Sequence, residues 1–510
     1  MAWVLPTHTI EAELNGVGGG WTDLTADTTS DRYRLSYGIK THRPEVRVAE
    51  SGTLAFQMRN DEANSGALLG YYSPFHAMKR PGWGFGIPVR LKQVYGADTR
   101  YWMGRLDQII PEPGQFESRR VACVAVDFMN EAARANAPTP IQVNKRSDQV
   151  FSAVLANMTE QPALTSIEAG RDVYVYALDN VSQDTKVMAI WADLAKSELG
   201  IIACVRDATV GQTLKFEART TRTLVTSVLC TLDNTMHGLE FPGGRSDILN
   251  VFRVKAFPRT IGVGIIIAKI DAPIEQAINP GETRTLFFDY TDPVQRDTKI
   301  GATNQIAPVA TTDYLMNAAA DGSGANLTSS FSVVASFFSS SVMLAITNNG
   351  TIPGRVRTLQ VRGDGIYALN PVTAEASDAT SKATYGANVT SIEMIYQSNA
   401  LVASDASLYL KEVFKDPLAN VRAVRFLANQ SAVLLTAALT GDISARVRLA
   451  ETVAGLTVAT EYFINGIEFG VSETETLDVT WWLAPASTTV YWQLGTAGAG
   501  ELGVSTRLSY

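Results

Sequence analysis

The chain holds little of what enzymes and secreted scaffolds depend on. Its 510 residues include 3 cysteines and 4 histidines, and 43 Lys and Arg against 51 Asp and Glu leave a formal net charge of −8. Cys123, Cys204 and Cys230 are odd in number, far apart and without a Cys-x-x-Cys pair. That excludes a disulfide framework and fits reduced thiols in a chain folded in a cytoplasm. "VACVAV" and "IIACVR" place two of them in strand-like apolar runs, where cysteine acts as a small buried hydrophobe. The shortage of basic residues argues against a protein that grips nucleic acid through its phosphates. Long apolar runs are also missing. "IGVGIIIA" (261–268) is too short to cross a bilayer, and "FSVVASFFSSSVMLAI" (331–346) is broken by serines and below the roughly 20 residues required. Both read as buried strands. The start, "MAWVLPTHTI", has neither the basic segment nor the apolar core of a secretory signal.

Catalytic constellations are equally scarce. His8, His42, His76 and His237 lie in unrelated contexts, none spaced with another His, Cys or carboxylate as metal ligands would be. No Gly-x-Ser-x-Gly elbow occurs, and "DGSGAN" (321–326) has the wrong spacing for one. Glu282, Asp289 and Asp292 in "GETRTLFFDYTDP" qualify as paired carboxylates only weakly; a solvated strand with a turn at Asp292-Pro293 is the simpler reading. The glycine-rich "NGVGGGWTDLTADT" (15–28) invites comparison with a phosphate-binding loop. Trp21, however, stands where the dinucleotide fingerprint needs its third glycine, and no Lys-hydroxyl pair follows. The Thr- and Asp-rich continuation disfavours the helix such a site requires, so a turn or bulge is expected. Trp481, Trp482, Tyr491 and Trp492 in "WWLAPASTTVYWQLG" could stack on sugar rings, yet on alternating strands half of such a set faces the core. The sequence therefore names no catalytic residue, no metal ligand and no cofactor site.

What is present is alternation. "DRYRLSYGI" places Tyr33, Leu35 and Tyr37 on one face. "GTLAFQMRND" does so with Leu54, Phe56 and Met58, and "GIPVRLKQVY" with Ile87, Val89 and Leu91. "TRYWMGRLDQIIPEPGQFESRRVACVAVDF" reads as two strands joined by a turn at 113–114. The period then changes. "SDQVFSAVLANM" gathers Val150, Val154, Leu155 and Met158 on a helical face with Ser147 as N-cap. "DTKVMAIWADLAKSELG" gathers Val187, Ile190, Trp191, Leu194 and Leu199 before Gly200. "IIACVRDATVGQTLKFEAR" follows as a hairpin. Strands resume from about 246. One further helix is expected at 399–415, with Val402, Ala406, Tyr409, Leu410 and Val413 on a face and Pro417 as its stop. No short-period repeat is present, though two strand-rich regions flanking a helical unit allow a duplicated barrel.

Several stretches resemble the baseplate hub, or tail-tip, proteins of long-tailed bacteriophages (siphophages). "GVGGGWTDLTAD" and "YWMGRLDQIIPEPG…RRVACVAVDFMNEAAR" are similar to the first barrel of their minor tail proteins, and "SELGIIACVRDATVGQTLKFEARTTR" to the hairpin after the central helices of hubs. "SDATSKATYGANVTSIEMIYQSNALVASDASLYLKEVFKDP" resembles their Ser…Tyr-Gly stretch with its following helix, and "GDISARVRL…YFINGIEFGV" their closing Gly-Asp strand pair. The resemblance implies a mainly β, multi-domain chain. A tube-type barrel would occupy 1–136, and an α+β domain with two helices and a hairpin 137–245. A second barrel or sandwich would draw on 246–300 and 361–510, with a β-rich insertion at 301–360. It also implies a structural, non-enzymatic virion protein. This would be a homotrimeric hub at the tail tip, presenting six barrels to a six-fold tube and assembled in the bacterial host cytoplasm. The partners implied are other copies of the chain, the tail tube or distal tail protein, the tape measure protein, and tail fibre or spike proteins. DNA would pass through without specific binding, and an acidic inner wall would keep it from adhering. Two alternatives are a six-fold distal tail ring protein and a glycan-binding tail-tip protein.

Overall fold

In the computed structural model, residues 3–113, 119–182, 184–295, 297–415, 420–453, 455–471 and 475–486 are described. Gly114 of the expected 113–114 turn, Pro417, Tyr491 and Trp492 lie outside them. The fold is mainly β, in several sheets with distinct cores.

The chain opens with β1 (Thr7–Ala12), β2 (Thr22–Asp23), β3 (Thr28–Gly38), β4 (Glu50–Arg59), β5 (Pro88–Tyr95), β6 (Asp98–Pro111) and β7 (Arg120–Val126), hydrogen-bonded in the order β3-β4-β7-β6-β5-β1-β2. The period-two pattern decides the buried face: Leu54, Phe56 and Met58 of β4, Val89 and Leu91 of β5, and Val121, Cys123 and Ala125 of β7 all point inward. The sheet rolls up far enough for His8 Nδ1 on β1 to lie 2.7 Å from Tyr33 Oη on β3. The glycine-rich segment is a turn, as expected. Gly16, Gly18 and Gly20 all have positive φ. The Gly18 amide donates to the Glu13 carboxylate at 2.9 Å, which makes the spot unsuited to an anion.

The middle of the chain packs α1 (Phe128–Arg134), β8 (Gln142–Arg146), α2 (Ser147–Ala156), β9 (Leu164–Ile167), β10 (Val173–Ala177), α3 (Val187–Glu198), β11 (Ile201–Val205), β12 (Thr213–Glu217) and α4 (Thr221–Leu224) around Phe151, Trp191 and Phe216. Two terminal assignments differ from expectation. Arg146, not Ser147, stands at the N-cap of α2; Ser147 is buried, and its Oγ donates to Glu198 Oε2 at 2.9 Å. At the end of α3 the left-handed residue is Leu199 (φ 55), not Gly200. Gly200 is required instead by close approach, since a Cβ there would lie 2.4 Å from the Glu217 carbonyl oxygen. The next strands, β13 (Val228–Leu232) and β14 (Met236–Glu240), do not complete this unit as the 137–245 assignment supposed; they pair with strands near the C-terminus.

β15 (Val251–Ala256) leads into a sandwich of β16 (Arg259–Lys269), β17 (Thr283–Asp289), β18 (Gly301–Ile306), β19 (Tyr314–Asn317), β20 (Phe331–Phe337), β21 (Ser341–Asn348) and β22 (Arg355–Ala368). One sheet is β16-β22-β18 with β19 on β22, the other β17-β21-β20. Its core takes Ile267, Tyr290 and Ile300 from before the expected 301–360 insertion and Val361 from after it. Arg259 binds Asp179 of the middle unit at 2.9 Å, and Ser339 Oγ donates to the Thr139 carbonyl. β23 (Val372–Ser377), α5 (Ala379–Tyr385), β24 (Val389–Met394) and α6 (Ala400–Phe414) follow. The sheet β23-β15-β24 packs on α6 through Phe252, Ile392, Ala406 and Leu410. Residues 251–256, expected in the second barrel, belong here.

The last elements are β25 (Ala423–Leu427), α7 (Ala432–Thr440), β26 (Arg446–Val453), β27 (Leu456–Val471) and β28 (Leu477–Pro485). With β13 and β14 they form the series β14-β25-β28-β27-β26-β13. This repeats the opening series β3-β4-β7-β6-β5-β1 strand for strand, in both sheet order and chain order. Register repeats as well. Pro88↔Arg105 and Tyr95↔Asp98 of the first hairpin are matched by Arg446↔Phe463 and Val453↔Leu456 of the second, at one constant offset. The same offset carries Arg105↔Val126 onto Phe463↔Ala484, and the β-bulge at Leu106/Gln108 onto the one at Ile464/Gly466. The strand series is therefore duplicated in order and register. One strand departs from the copy: β1 runs antiparallel to β5, whereas β13 runs parallel to β26.

Candidate assembly interface

The two repeats are joined edge to edge. Tyr33 to Gly38 of β3 pair antiparallel with Val471 to Gly466 of β27, so both series become one continuous sheet with a shared core. The Ile39 amide donates to the Asn465 carbonyl at 2.8 Å, which sets the phase of the ladder. Tyr37/Ile467, Leu35/Phe469 and Tyr33/Val471 are then the hydrogen-bonded pairs, and the pairs between them approach more closely. Gly38 and Gly466 face each other in such a close pair. A Cβ on Gly38 would lie 2.6 Å from the Asn465 carbonyl oxygen and 2.7 Å from Gly466 Cα, and its φ of +95 already favours glycine.

Arg206, on the loop after β11, locks the joint from behind and is buried. Its Nε donates to Tyr37 Oη at 2.7 Å and Nη1 to Gln93 Oε1 at 2.9 Å; Nη2 reaches the carbonyls of Ala438 at 3.1 Å and Gly441 at 2.9 Å. The guanidinium also lies 4.6 Å from the centroid of the Phe469 ring. One side chain of the middle unit thus binds β3 and β5 of the first repeat and α7 and β27 of the second. Tyr37 Oη in turn donates to Asp442 Oδ1 at 3.2 Å. Burial pushes both the Tyr37 phenol and the Asp442 carboxyl above their ordinary ranges, against the pull of Arg206 in the other direction.

The outward face of the joined sheet carries Arg34, Ala55, Gln57, Ala122, Val124, Gly470 and Asp478 around a shallow groove of about 620 Å³. Arg59, Arg120 and Arg425 stand on the same face, with Glu468 beside Arg34. This face is not acidic, so the net negative charge of the chain resides elsewhere.

The residues weighed for chemistry fall apart in space or into the core. Trp481 is fully buried against Phe426, while Trp482 lies under the Lys40 ammonium; the two do not form one platform. Asp289 pairs with Lys299, Asp292 accepts from the amides of Val294 and Gln295, and Glu282 holds Arg284 and Asn279, each within its own local structure. All three cysteines are free and buried. His8 is buried beside Tyr33. His76 Nδ1 accepts from the Met78 amide, and His237 lies 3.3 Å from Asp478. Burial and the neighbouring Arg422 and Arg43 lower the His42 imidazole. Among the described residues no group of three His, Cys, Asp or Glu could hold a metal ion, and no helix is long and apolar enough to cross a membrane. Arg206 and the glycine pair gave no signal in the sequence beyond the Gly-Asp dipeptide at 441–442, which supplies Arg206 and Tyr37 with partners.

No protein-family model matches the chain, and no curated protein matches it by sequence. Among solved structures its neighbours include prophage tail proteins and a component of the type VI secretion system from E. coli. It is similar to the 43 kDa tail protein of prophage MuSo2 from Shewanella oneidensis (11% identity, 94% of this chain and 99% of that chain, TM-score 0.48). It is also similar to the tail protein from Neisseria meningitidis MC58 (8% identity, 94% and 96%, TM-score 0.45). A third neighbour is the prophage tail protein gp18 from Listeria monocytogenes EGD-e (8% identity, 94% and 96%, TM-score 0.38).

Proposed function

We propose that this chain is a structural subunit of a phage tail tip, a hub whose two tube-type barrels turn three copies into a ring of six quasi-equivalent barrels. The observation that carries the reading is the duplication itself: two barrels of one topology and register, joined edge to edge with strand directions that continue from one to the next. A head-to-tail joint of this kind generates a ring when the rotation closes. Three copies then offer six near-identical surfaces to a six-fold tube while presenting three-fold symmetry on the other side. The partners that follow are other copies of the chain, the tail tube or distal tail protein, the tape measure protein and a fibre or spike. The channel that such a ring encloses would pass DNA without gripping it. An acidic wall is not part of this reading if the outward sheet face lines the channel, because Arg34, Arg59, Arg120 and Arg425 stand there. The burial of Trp481 takes that ring out of any glycan platform.

Native mass spectrometry across a concentration series tests the reading. A three-copy species supports it, and a six-copy ring favours a distal tail ring protein instead.

A further inference from the structure

Quasi-equivalence between the repeats exposes two unused edges. Within the chain, Gly466 to Val471 of β27 pair with β3. The equivalent stretch of the first repeat, Gln108 to Pro113, continues β6, and among the described residues it pairs only with β7. The β3-equivalent strand of the second repeat is β14. Tyr33↔Phe56 and Arg34↔Ala55 correspond to Leu239↔Val424 and Glu240↔Ala423, and among the described residues β14 pairs only with β25. Among the described residues each chain thus carries one unpaired socket and one unpaired plug of the joint it makes internally.

A side chain marks the socket independently. The Ser444 amide donates to the Ile464 carbonyl, as the Gly86 amide does to that of Leu106; the Ile464 amide returns to Ala445, as the Leu106 amide does to Ile87. Ile443 and Phe85 are therefore equivalent positions. Ile443 is 2% exposed, with its Cδ1 beside Gly38 of the neighbouring strand, whereas Phe85 is 52% exposed. The position is covered where a β3-type strand lies beside it and open where none does.

We infer that residues 239–244 of a second copy dock along the 108–113 edge of β6, beneath Phe85. The register is Gly244 opposite Gln108, Gly243 opposite Ile109, Pro242 opposite Ile110, Phe241 opposite Pro111 and Glu240 opposite Glu112. This rests on the ring reading and specifies its seam. The seam is weaker than the internal joint for reasons visible in the residues. Pro111 and Pro113 fall at positions whose amides would point at the second copy, and proline has none to give. The Gly243 amide is held by its own Asp247 at 3.1 Å, and Glu240 meets Glu112 across a close pair. The edges are thus protected on the single chain, and Phe85 becomes the main apolar anchor of a reversible closure.

The test is disulfide trapping of the full chain carrying Ile110→Cys and Pro242→Cys. A non-hydrogen-bonded antiparallel pair has Cα atoms about 4.5 Å apart, within disulfide range, and the native cysteines are buried. The expected result is a covalent ladder under oxidation that ends at three copies, absent from either single variant. Phe85→Asp should weaken association at least tenfold while leaving the thermal unfolding of the single chain unchanged. A ring seen by native mass with no trapped ladder, or a ladder ending at two, overturns the seam but not the ring. No oligomer at any concentration, with no ladder, overturns both. Unaltered association in Phe85→Asp removes the anchor.

Discussion

Arg206→Met would remove the charge that ties the two repeats together while keeping a long apolar stem. The loss leaves the carbonyls of Ala438 and Gly441, the Gln93 amide oxygen and Tyr37 Oη without their donor, and removes the cation above Phe469. Each stranded buried group costs about 1–3 kcal/mol. Taking one partner from a buried charged network costs about 3–5 kcal/mol once the surroundings relax. We expect the second figure, because Tyr37 can still donate to Asp442. A chain with several cores does not unfold as one unit, so a single global stability is the wrong readout. Amide hydrogen exchange at 33–38 and 466–471 reports on the joint itself. A loss of about 3–5 kcal/mol corresponds to roughly two to four orders of magnitude in exchange rate, with the sandwich strands β17, β20 and β21 unaffected. A change below tenfold at the joint would refute the reasoning that Arg206 locks it.

Gly38→Ala should open the same joint by more than about 1 kcal/mol, because a left-handed glycine is replaced where a Cβ has no room; equal exchange protection in the variant would contradict this. Asp127, the N-cap of α1, has its carboxyl pushed up to about 7 by burial, against amide donors that pull it down. A folded value above the unfolded one means stability is full below about pH 4 and declines as pH rises through 7, by about 4 kcal/mol at most. Asp127→Asn caps without charge, so its Tm between pH 5 and 9 should fall less than that of the parent; parallel curves would count against the assignment. Trp481→Ala should cost about 3–5 kcal/mol as a core cavity and leave retention on host polysaccharide unchanged. Retention lost at unchanged stability would restore the glycan reading. Glu240→Gln should tighten association a few-fold by removing a like-charge pair worth about 0.2–1 kcal/mol, read by the same native mass series.

The sequence made the strands legible because burial is one-sided. Leu54, Phe56 and Met58, or Val89 and Leu91, alternate with polar neighbours, and the structure buries those faces. Helices α2, α3 and α6 were readable from their apolar faces, but α7 was not. "AVLLTAALT" is nearly uniformly apolar: it buries Leu434, Leu435, Ala437, Ala438 and Leu439 yet leaves Val433 exposed, so no polar face marks the helical period. The duplication stayed hidden for a different reason. Between β14 and β25 the chain inserts two further packed units, and the longest run the hairpins share is Val-Arg-Leu, at 89–91 and 447–449. What repeats is register and volume: Phe56 faces Cys123 in one copy and Val424 faces Trp481 in the other, so a large and a small side chain exchange places. Arg206 was unreadable because its partners, from Tyr37 to Gly441, meet only after the whole chain has folded.

The central claim is that two barrels per chain build a ring of six. Electron microscopy of the purified, assembled protein tests it through the rotational symmetry of end-on class averages. A ring of three chains gives three-fold symmetry with a strong six-fold component and a mass of three chains. A ring of six chains, or a particle without a rotational axis at any concentration, would contradict it.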